Sequence, residues 1–266
     1  MPSRHEDAHF GSETMPDYPL VIFGGSFVLF WLSARVGFSV LRRWRPLEEA
    51  SREDFGVVLA ATLTLLGLII GFTFSMATSR YEQRKNYEEA EANAIGTELV
   101  RAGLLTPGDA TKVRALLRKY LDERILFYMA REDQDLREIN ARTAQLQNEL
   151  WSAVQDPAMA QPNPVVALAV AGMNDVLNSQ GYTQAAWWNR IPHAAWALMA
   201  LIAVCSNLLV GYGARNTKGG GILLLVLPLV VSIAFLLIAD IDSPRGGLIH
   251  VYPQNLQSLL KSLPSQ

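Results

Sequence analysis

The sequence contains little charge and almost no cysteine. Asp, Glu, Lys and Arg make up only 18% of its 266 residues, whereas a soluble protein of this size carries about 25%. The formal net charge is −2, so no excess of basic residues predicts a nucleic-acid partner. The single cysteine, Cys205, excludes an intrachain disulfide framework and a zinc site made of cysteines.

Sequence signatures of an enzyme are also missing. The four histidines (His5, His9, His193 and His250) are not spaced like metal ligands. The glycine run 219–221 lacks the Lys-Ser/Thr pair of a phosphate-binding loop. We therefore expect no catalytic residues, no bound metal and no cofactor.

Hydrophobic residues make up 50% of the chain and are concentrated in four nearly uncharged stretches. Each stretch has the roughly 20 residues needed to cross a bilayer. The predicted spans are Leu20–Leu41, Phe55–Thr78, Ala194–Tyr212 and Ile222–Ile241. The sequence thus predicts an all-α membrane protein with four transmembrane helices and a helical-bundle insert between the second and third. The predicted parts are a polar leader (1–18), spans one and two (19–79), the soluble insert (80–193), spans three and four (194–241) and a C-terminal tail (242–266).

The distribution of Lys and Arg predicts the orientation of the spans. Four arginines lie in the short loop 42–52, and the loop between spans three and four adds Arg215 and Lys218. Short loops rich in Lys and Arg stay in the cytoplasm. Three basic residues within 80–85 oppose this assignment, but long segments translocate largely regardless of charge. We expect a multi-pass protein of the bacterial inner membrane, with the insert outside the cytoplasm.

The insert is predicted to be helical throughout. No helix-breaking residue ends span two, so its helix is expected to continue to about Leu104. Thr106–Asp109 has the cap, proline and acidic residue that begin a helix. A third helix is predicted over Leu136–Val154, with a turn at Asp156-Pro157 after it. Asn163–Val176 is predicted to be a fourth helix, capped by its first two residues.

Two blocks of sequence carry a family resemblance. The first comprises Leu66–Met76, Ser79–Tyr81 and Glu91–Thr97, and the second is Ala239–Ile249. Both resemble a large membrane family of bacteria and plants, a domain of unknown function that is often labelled bestrophin-like. The resemblance covers residues 55–260 and implies four spans with an insert between the second and third.

At one remove, the chain resembles the bestrophins themselves. Those proteins are pentameric anion channels whose second spans line the pore. The resemblance therefore implies a homo-oligomer, most simply a pentamer, in a lipid bilayer. Inorganic ions would be the permeant species.

Span two carries a stripe of small and polar side chains at steps of three or four residues. Such a stripe fits the lining of a pore. It equally fits close helix–helix packing, because Gly67, Gly71 and Ser75 form small-xxx-small patterns. Leu68, Phe72 and Met76 lie one turn apart and are candidates for an apolar constriction. The pore-lining candidates are Thr64, Gly67, Leu68, Gly71, Phe72, Ser75, Met76 and Thr78.

Charged residues gather at the ends of the spans that adjoin the insert. A carboxylate at the edge of an apolar span is costly unless it is paired or hydrated. One interpretation is an ion or proton site at a pore mouth, and the other is a salt-bridge cluster that locks span four to spans two and three. In either case Asp240 and Asp242 are expected near Arg80 or Arg190. The predicted cluster is Arg80, Arg190, His193, Asp240, Asp242 and Arg245.

Taken with the resemblance, these patterns favour an oligomeric bestrophin-like ion channel, with anions among the candidate permeant ions. The alternative is a non-conducting membrane protein that binds or senses a partner through its helical insert. A transporter is disfavoured, because the two pairs of spans show no internal repeat.

Overall fold

The computed structural model describes residues 19–44, 46–214 and 220–264, and all regular structure in this part of the chain is helical. The α-helices are α1 (Pro19–Val36), α2 (Arg42–Trp44), α3 (Arg52–Arg101), α4 (Pro107–Met129), α5 (Asp133–Ala160), α6 (Pro164–Trp188), α7 (His193–Gly213), α8 (Gly220–Asp242) and α9 (Gln254–Ser262). A π-helix (Gly37–Leu41) extends α1, and 3-10 helices (Glu49–Ser51 and Ala102–Leu104) flank α3. The predicted leader (1–18), with His5 and His9, and the loop residues Arg215, Lys218 and Gly219 lie outside the described residues.

Four stretches of the described chain are long and apolar enough to cross a membrane, which confirms the predicted four-helix membrane protein. They are α1 with its π-helical end, the first half of α3, α7 and α8. α1 lies against both α7 and α8. Phe235 of α8 meets Phe30 and Trp196 edge-on, at ring-centroid distances of 5.3 and 5.8 Å. These aromatic contacts hold α8 between α1 and α7.

The backbones of α1 and α7 touch where the two helices cross. A Cβ atom at Gly211 would overlap the carbonyl oxygen of Ala34, and one at Gly37 would lie 2.9 Å from the amide nitrogen of Tyr212. A side chain at either position would force the helices apart. Close packing through small residues inside the subunit therefore occurs at this crossing.

α3 joins the membrane part to the insert. Its 50 residues extend about 75 Å at 1.5 Å per residue, more than twice the hydrocarbon core of roughly 30 Å. Beyond Arg80 its buried residues Ala92 and Ile95 belong to the same hydrophobic core as those of α4 and α6. As predicted, the helix of span two continues without a break into the insert.

The insert is a bundle of α4, α5, α6 and the second half of α3, with α9 packed on α3 and α4. The predicted helix starts are confirmed. The amide of Asp109 donates to Thr106 Oγ1 at 3.4 Å, and those of Val165 and Val166 donate to Asn163 Oδ1 at 2.9 Å. Completely buried core residues include Val113, Leu117, Leu121, Leu150, Val154 and Met173.

Two predicted helix ends in the insert were wrong. α5 passes through Pro157 and ends at Ala160. Proline has no N–H to donate to the preceding turn, but its carbonyl still accepts the amide of Gln161, at 2.9 Å, and this bond closes the last turn. α6 runs twelve residues beyond Val176, to Trp188. The sequence did not predict this extension, because its buried face includes polar residues such as Thr183 and so lacks a regular pattern of hydrophobic residues.

Candidate functional site: the exposed face of span two and the junction with the insert

The membrane-spanning half of α3 is covered by its own subunit along one narrow line. Leu66, Thr73 and Ala77 are its buried residues, and α7 and α8 are the neighbouring spans. In its most apolar stretch only 6% of residues are buried, compared with 50% for α8. Ile69 and Ile70 pack partly against the same core, and most other residues of this span are exposed on the single subunit.

The pore-lining candidates lie on that uncovered surface. Seven of the eight are exposed, and Thr78 is half-buried. Nothing lies within 4 Å of the point where a Cβ atom of Gly67 or Gly71 would stand. Within the described part of one subunit, no small-residue packing therefore occurs at these glycines, and the stripe faces outward.

The three apolar candidates also point outward. Phe72 is 62% exposed, Leu68 51% and Met76 40%. Ser75 is nine residues, or about two and a half turns, from the buried Leu66 and so lies on the opposite side of the helix. The exposed surface of α3 thus carries small, polar and large apolar side chains, which are the three types predicted to line the pore.

Asp242 joins three elements at the insert end of the spans. Both of its carboxylate oxygens accept the amide of Ile191, at 3.1 Å, in the α6–α7 connection. Arg80 Nη1 lies 3.7 Å from Oδ1. Arg84 donates to the carbonyls of Asp242, at 3.0 Å, and Ile241, at 3.1 Å. We call this group, Arg80, Arg84, Ile191 and Asp242, the junction.

Asp240 is held differently from the prediction. The sequence suggests an arginine partner, but its oxygens accept the amides of Leu248, at 2.7 Å, and Ile249, at 2.8 Å. A Cβ atom at Gly247 would lie 3.1 Å from Asp240 Cγ. Glycine at this position therefore lets the loop reach the carboxylate. Asp240 closes the turn after α8, whereas Asp242 binds the arginines.

Arg245 fastens the same loop to the insert. Its guanidinium lies 4.8 Å from the ring centre of Phe127 and 4.3 Å from that of Trp187. It donates to the carbonyls of Phe127, at 2.9 Å, and Ala130, at 2.7 Å. These are carbonyls at the C-terminus of α4, where cations are favoured. His193, by contrast, is exposed at the start of α7.

A family model described as a bestrophin-like domain matches residues 27–256. The chain belongs to the bestrophin-like family. The resemblance inferred from the motifs is therefore confirmed. Its second motif block forms the loop held by Asp240 and Arg245, which explains the spacing of the acidic, arginine and glycine residues in that block.

The bestrophin-like chain is similar in fold to crystal structures of a bacterial bestrophin homologue from Klebsiella pneumoniae. One, of a protein with a point mutation, gives a TM-score of 0.61 at 13% identity over 90% of this chain and 98% of the other. Another, phased by Zn-SAD, gives 0.59 at 13% identity over 92% and 99%. At this identity the comparison shows a shared fold. No curated protein matches the sequence.

Several arginines lie near Asp242 in this bestrophin-like chain. Arg80, Arg84 and Arg190 all interact electrostatically with the single carboxylate of Asp242. Asp242 is 7% exposed and Arg84 only 1%. Three guanidinium groups thus act on one largely buried carboxylate at this end of the spans. Among the described residues, no group of His, Cys, Asp or Glu could hold a metal ion.

Sequence reasoning missed a buried ion pair in the insert. Arg124 Nε donates to Glu91 Oε1, and Tyr128 and Thr183 each donate to Glu91 Oε2 at 3.2 Å. Both charged residues are 0% exposed. Burial opposes the charge of Arg124, but the Glu91 carboxylate outweighs it and raises the pKa of Arg124. This network connects α3, α4 and α6.

A second missed carboxylate fixes the C-terminal helix. Glu88, 1% exposed, accepts the amides of Asn255, at 2.9 Å, and Leu256, at 3.0 Å, and so caps the start of α9. Glu88 and Glu91 lie three residues apart on the face of α3 that carries Ile95. These buried carboxylates could have been predicted from the sequence, because acidic residues recur on the hydrophobic face of this helix.

Proposed function

We propose that this bestrophin-like chain is one subunit of a homo-oligomeric ion channel whose pore is lined by the membrane-spanning half of α3. The observation that carries the proposal is the uncovered face of α3, where Thr64, Gly67, Gly71 and Ser75 stand in place of large apolar residues. A helix packed on its own subunit along one side, with small and polar groups on the other, suits a ring of identical copies around an axis. Five copies are proposed from the resemblance to bestrophins.

The proposed constriction is a ring of Phe72 side chains, with Leu68 and Met76 one turn to either side. All three are exposed on one subunit and so are free to face a central path. An apolar ring stops ions by expelling water, and it requires no charged gate.

Inorganic anions are the proposed permeant species. The support is the resemblance to the bestrophins, which are anion channels. The proposal assigns no catalytic step to the chain.

Replacing Phe72 by alanine is expected to raise the ion flux through reconstituted protein several-fold, because the apolar ring becomes wider and wets more easily. Flux of chloride and of sodium into liposomes would be measured separately. The matched control is Phe74→Ala, which removes the same side chain two residues away, on another side of α3. Native mass spectrometry of the same samples should give five subunits.

The alternative function predicts a different result. If the protein is a non-conducting interaction or sensor protein, wild type, Phe72→Ala and Phe74→Ala will all stay at the flux of empty liposomes. A monomer in lipid nanodiscs would also contradict a pore between subunits. Equal gains from both alanine variants would contradict Phe72 as the constriction.

We also propose that the insert lies outside the cytoplasm of a bacterial cell, because the arginine-rich loop 42–52 is held inside. In a Cys205→Ser background, Asn148→Cys on the exposed surface of α5 should react with a membrane-impermeant thiol reagent in intact cells. Glu48→Cys, at the other end of the spans, should react only after lysis. The reverse pattern would overturn the orientation.

A further inference from the structure

The loop between α8 and α9, residues 243–253, turns back onto the helix it has just left. Ser243 Oγ accepts the amide of Gly246 at 3.1 Å, which tightens the turn. The amides of Leu248 and Ile249 then bind Asp240, which lies within span four (Leu224–Asp242). Asp240 is two residues, or about 3 Å, before the end of that helix. The α8–α9 loop thus returns to the depth at which the span ends.

The loop is held there firmly. Asp240 is 7% exposed, and hydrogen bonds to an ionised carboxylate are among the strong ones in proteins. The loop backbone lies directly on the last turn of α8, because Gly247 has no side chain to separate them. The position of Leu248 is therefore fixed by the backbone bonds on either side of it.

In this fixed position the described part of the chain leaves Leu248 uncovered. It is 91% exposed, more than any other large hydrophobic residue of the described chain, and Ile249 beside it is 38% exposed. Trp188 is 75% exposed, and it precedes the connection whose Ile191 amide binds Asp242. Large apolar side chains, with tryptophan among them, are typical of the boundary between lipid headgroups and acyl chains.

The direction of the loop distinguishes lipid from the pore axis. Asp242 faces the arginines of α3. Residues two apart on an α-helix point to nearly opposite sides, so Asp240 and the loop bound to it lie on the side of α8 away from α3. If copies of the chain meet around α3, this side of α8 faces outward.

We propose that the α8–α9 loop is a membrane-interface anchor, in which Asp240 holds Leu248 and Ile249 in the boundary between the headgroups and acyl chains of the bilayer. The partner is the lipid surface itself. Burial of the leucine side chain there replaces its contact with water, and the bound loop sets the depth of the junction relative to the membrane.

Spin labelling measures the depth of Leu248 directly. In a Cys205→Ser background, a nitroxide at Leu248→Cys in nanodiscs of zwitterionic and anionic phospholipid should collide readily with oxygen, which dissolves in lipid, and weakly with a water-soluble nickel complex. Val230→Cys on the exposed surface of α8 provides the lipid reference and Lys261→Cys on α9 the water reference. The label at 248 should give an oxygen-to-nickel ratio between the two and several-fold above that at 261.

Two results would overturn the anchor. A ratio equal to that at 261 would place Leu248 in water. Low collision rates with both reagents would mean that protein, such as a second copy of the chain, covers it. In the purified Leu248→Cys protein that also carries Asp240→Ala, the ratio should fall toward that of 261, because the two bonds that fix the loop are gone. An unchanged ratio there would contradict the role of Asp240.

Discussion

Replacing Arg124 by methionine is expected to lower the free energy of unfolding by about 3–5 kcal/mol. The substitution removes the positive charge that balances Glu91 and leaves that carboxylate 0% exposed. Tyr128 and Thr183 still donate to it, but neutral hydroxyl groups do not replace a buried counter-charge. The loss would be measured as a shift of the denaturation midpoint of detergent-solubilised protein.

The chain provides a matched control for this prediction. Arg142 also pairs with a glutamate of another helix, since its Nε lies 2.9 Å from Glu123 Oε1, but its side chain is 48% exposed. Arg142→Met should cost no more than about 1 kcal/mol. The double variant Glu91→Leu with Arg124→Met should recover most of the lost stability, because it leaves no unpaired charge. Equal losses from Arg124→Met and Arg142→Met would show that the buried pair does not hold the bundle together.

The buried pair also bears on the proposed channel. Glu91 lies on the same continuous helix as Phe72, and Arg124 and Thr183 tie that helix to α4 and α6. One continuous helix therefore joins this network to the membrane span.

Local chemistry explains which parts of the fold could be predicted. The spans follow from a composition that only lipid accommodates, and the helix starts at Thr106 and Asn163 follow from side chains that cap the next few amides. Both signals lie within a few residues of the feature they specify. The continuous helix α3 could be predicted in the same way, because its sequence contains no helix-breaking residue.

Features that depend on contacts between residues far apart in the sequence could not be predicted from local patterns. Gly67 and Gly71 have the pattern of packing residues, but nothing in the described part of their own subunit lies within 4 Å of their Cβ positions. Gly37 and Gly211, by contrast, bring two helices into backbone contact. The sequence does not state which helix face a neighbour will cover. Arg124 was similarly hidden, because a charged residue on a helix ordinarily indicates a solvated face and its partner is 33 residues away.

Glu98 gives the insert another buried carboxyl group, in a different setting. It is 0% exposed, and neither carboxylate oxygen accepts a hydrogen bond from the described part of the chain. It lies in the insert, about 30 Å along α3 from Thr78 at the end of the predicted span. A Cβ atom at Gly172 would overlap it, so glycine in α6 makes the space that it fills. Burial raises the pKa of Glu98 to about 8; Arg101 opposes the shift and Asp175 adds to it.

The direction of the resulting pH dependence follows from proton binding. The ordinary pKa of 4.5 applies in the unfolded chain, whereas the folded protein keeps the proton on Glu98 up to about pH 8. Between these values the folded state binds more protons than the unfolded state, so the free energy of unfolding falls as the pH rises. The neutral carboxyl group of Glu98 contributes its full stabilisation below pH 4.5, and this stabilisation is lost as the pH rises above about 8.

Glu98→Gln is therefore expected to remove this pH dependence. Glutamine has nearly the shape of the protonated acid and cannot ionise. Any free-energy cost of burying its amide is therefore the same at every pH. Thermal midpoints measured between about pH 5 and 9 should fall steeply for wild type and much less for Glu98→Gln, leaving the variant more stable at the alkaline end. Glu89→Gln, at an exposed position of α3, should follow wild type. Parallel curves for wild type and Glu98→Gln would mean that Glu98 is already ionised in the folded insert, and that Arg101 balances its charge despite the absence of a hydrogen bond.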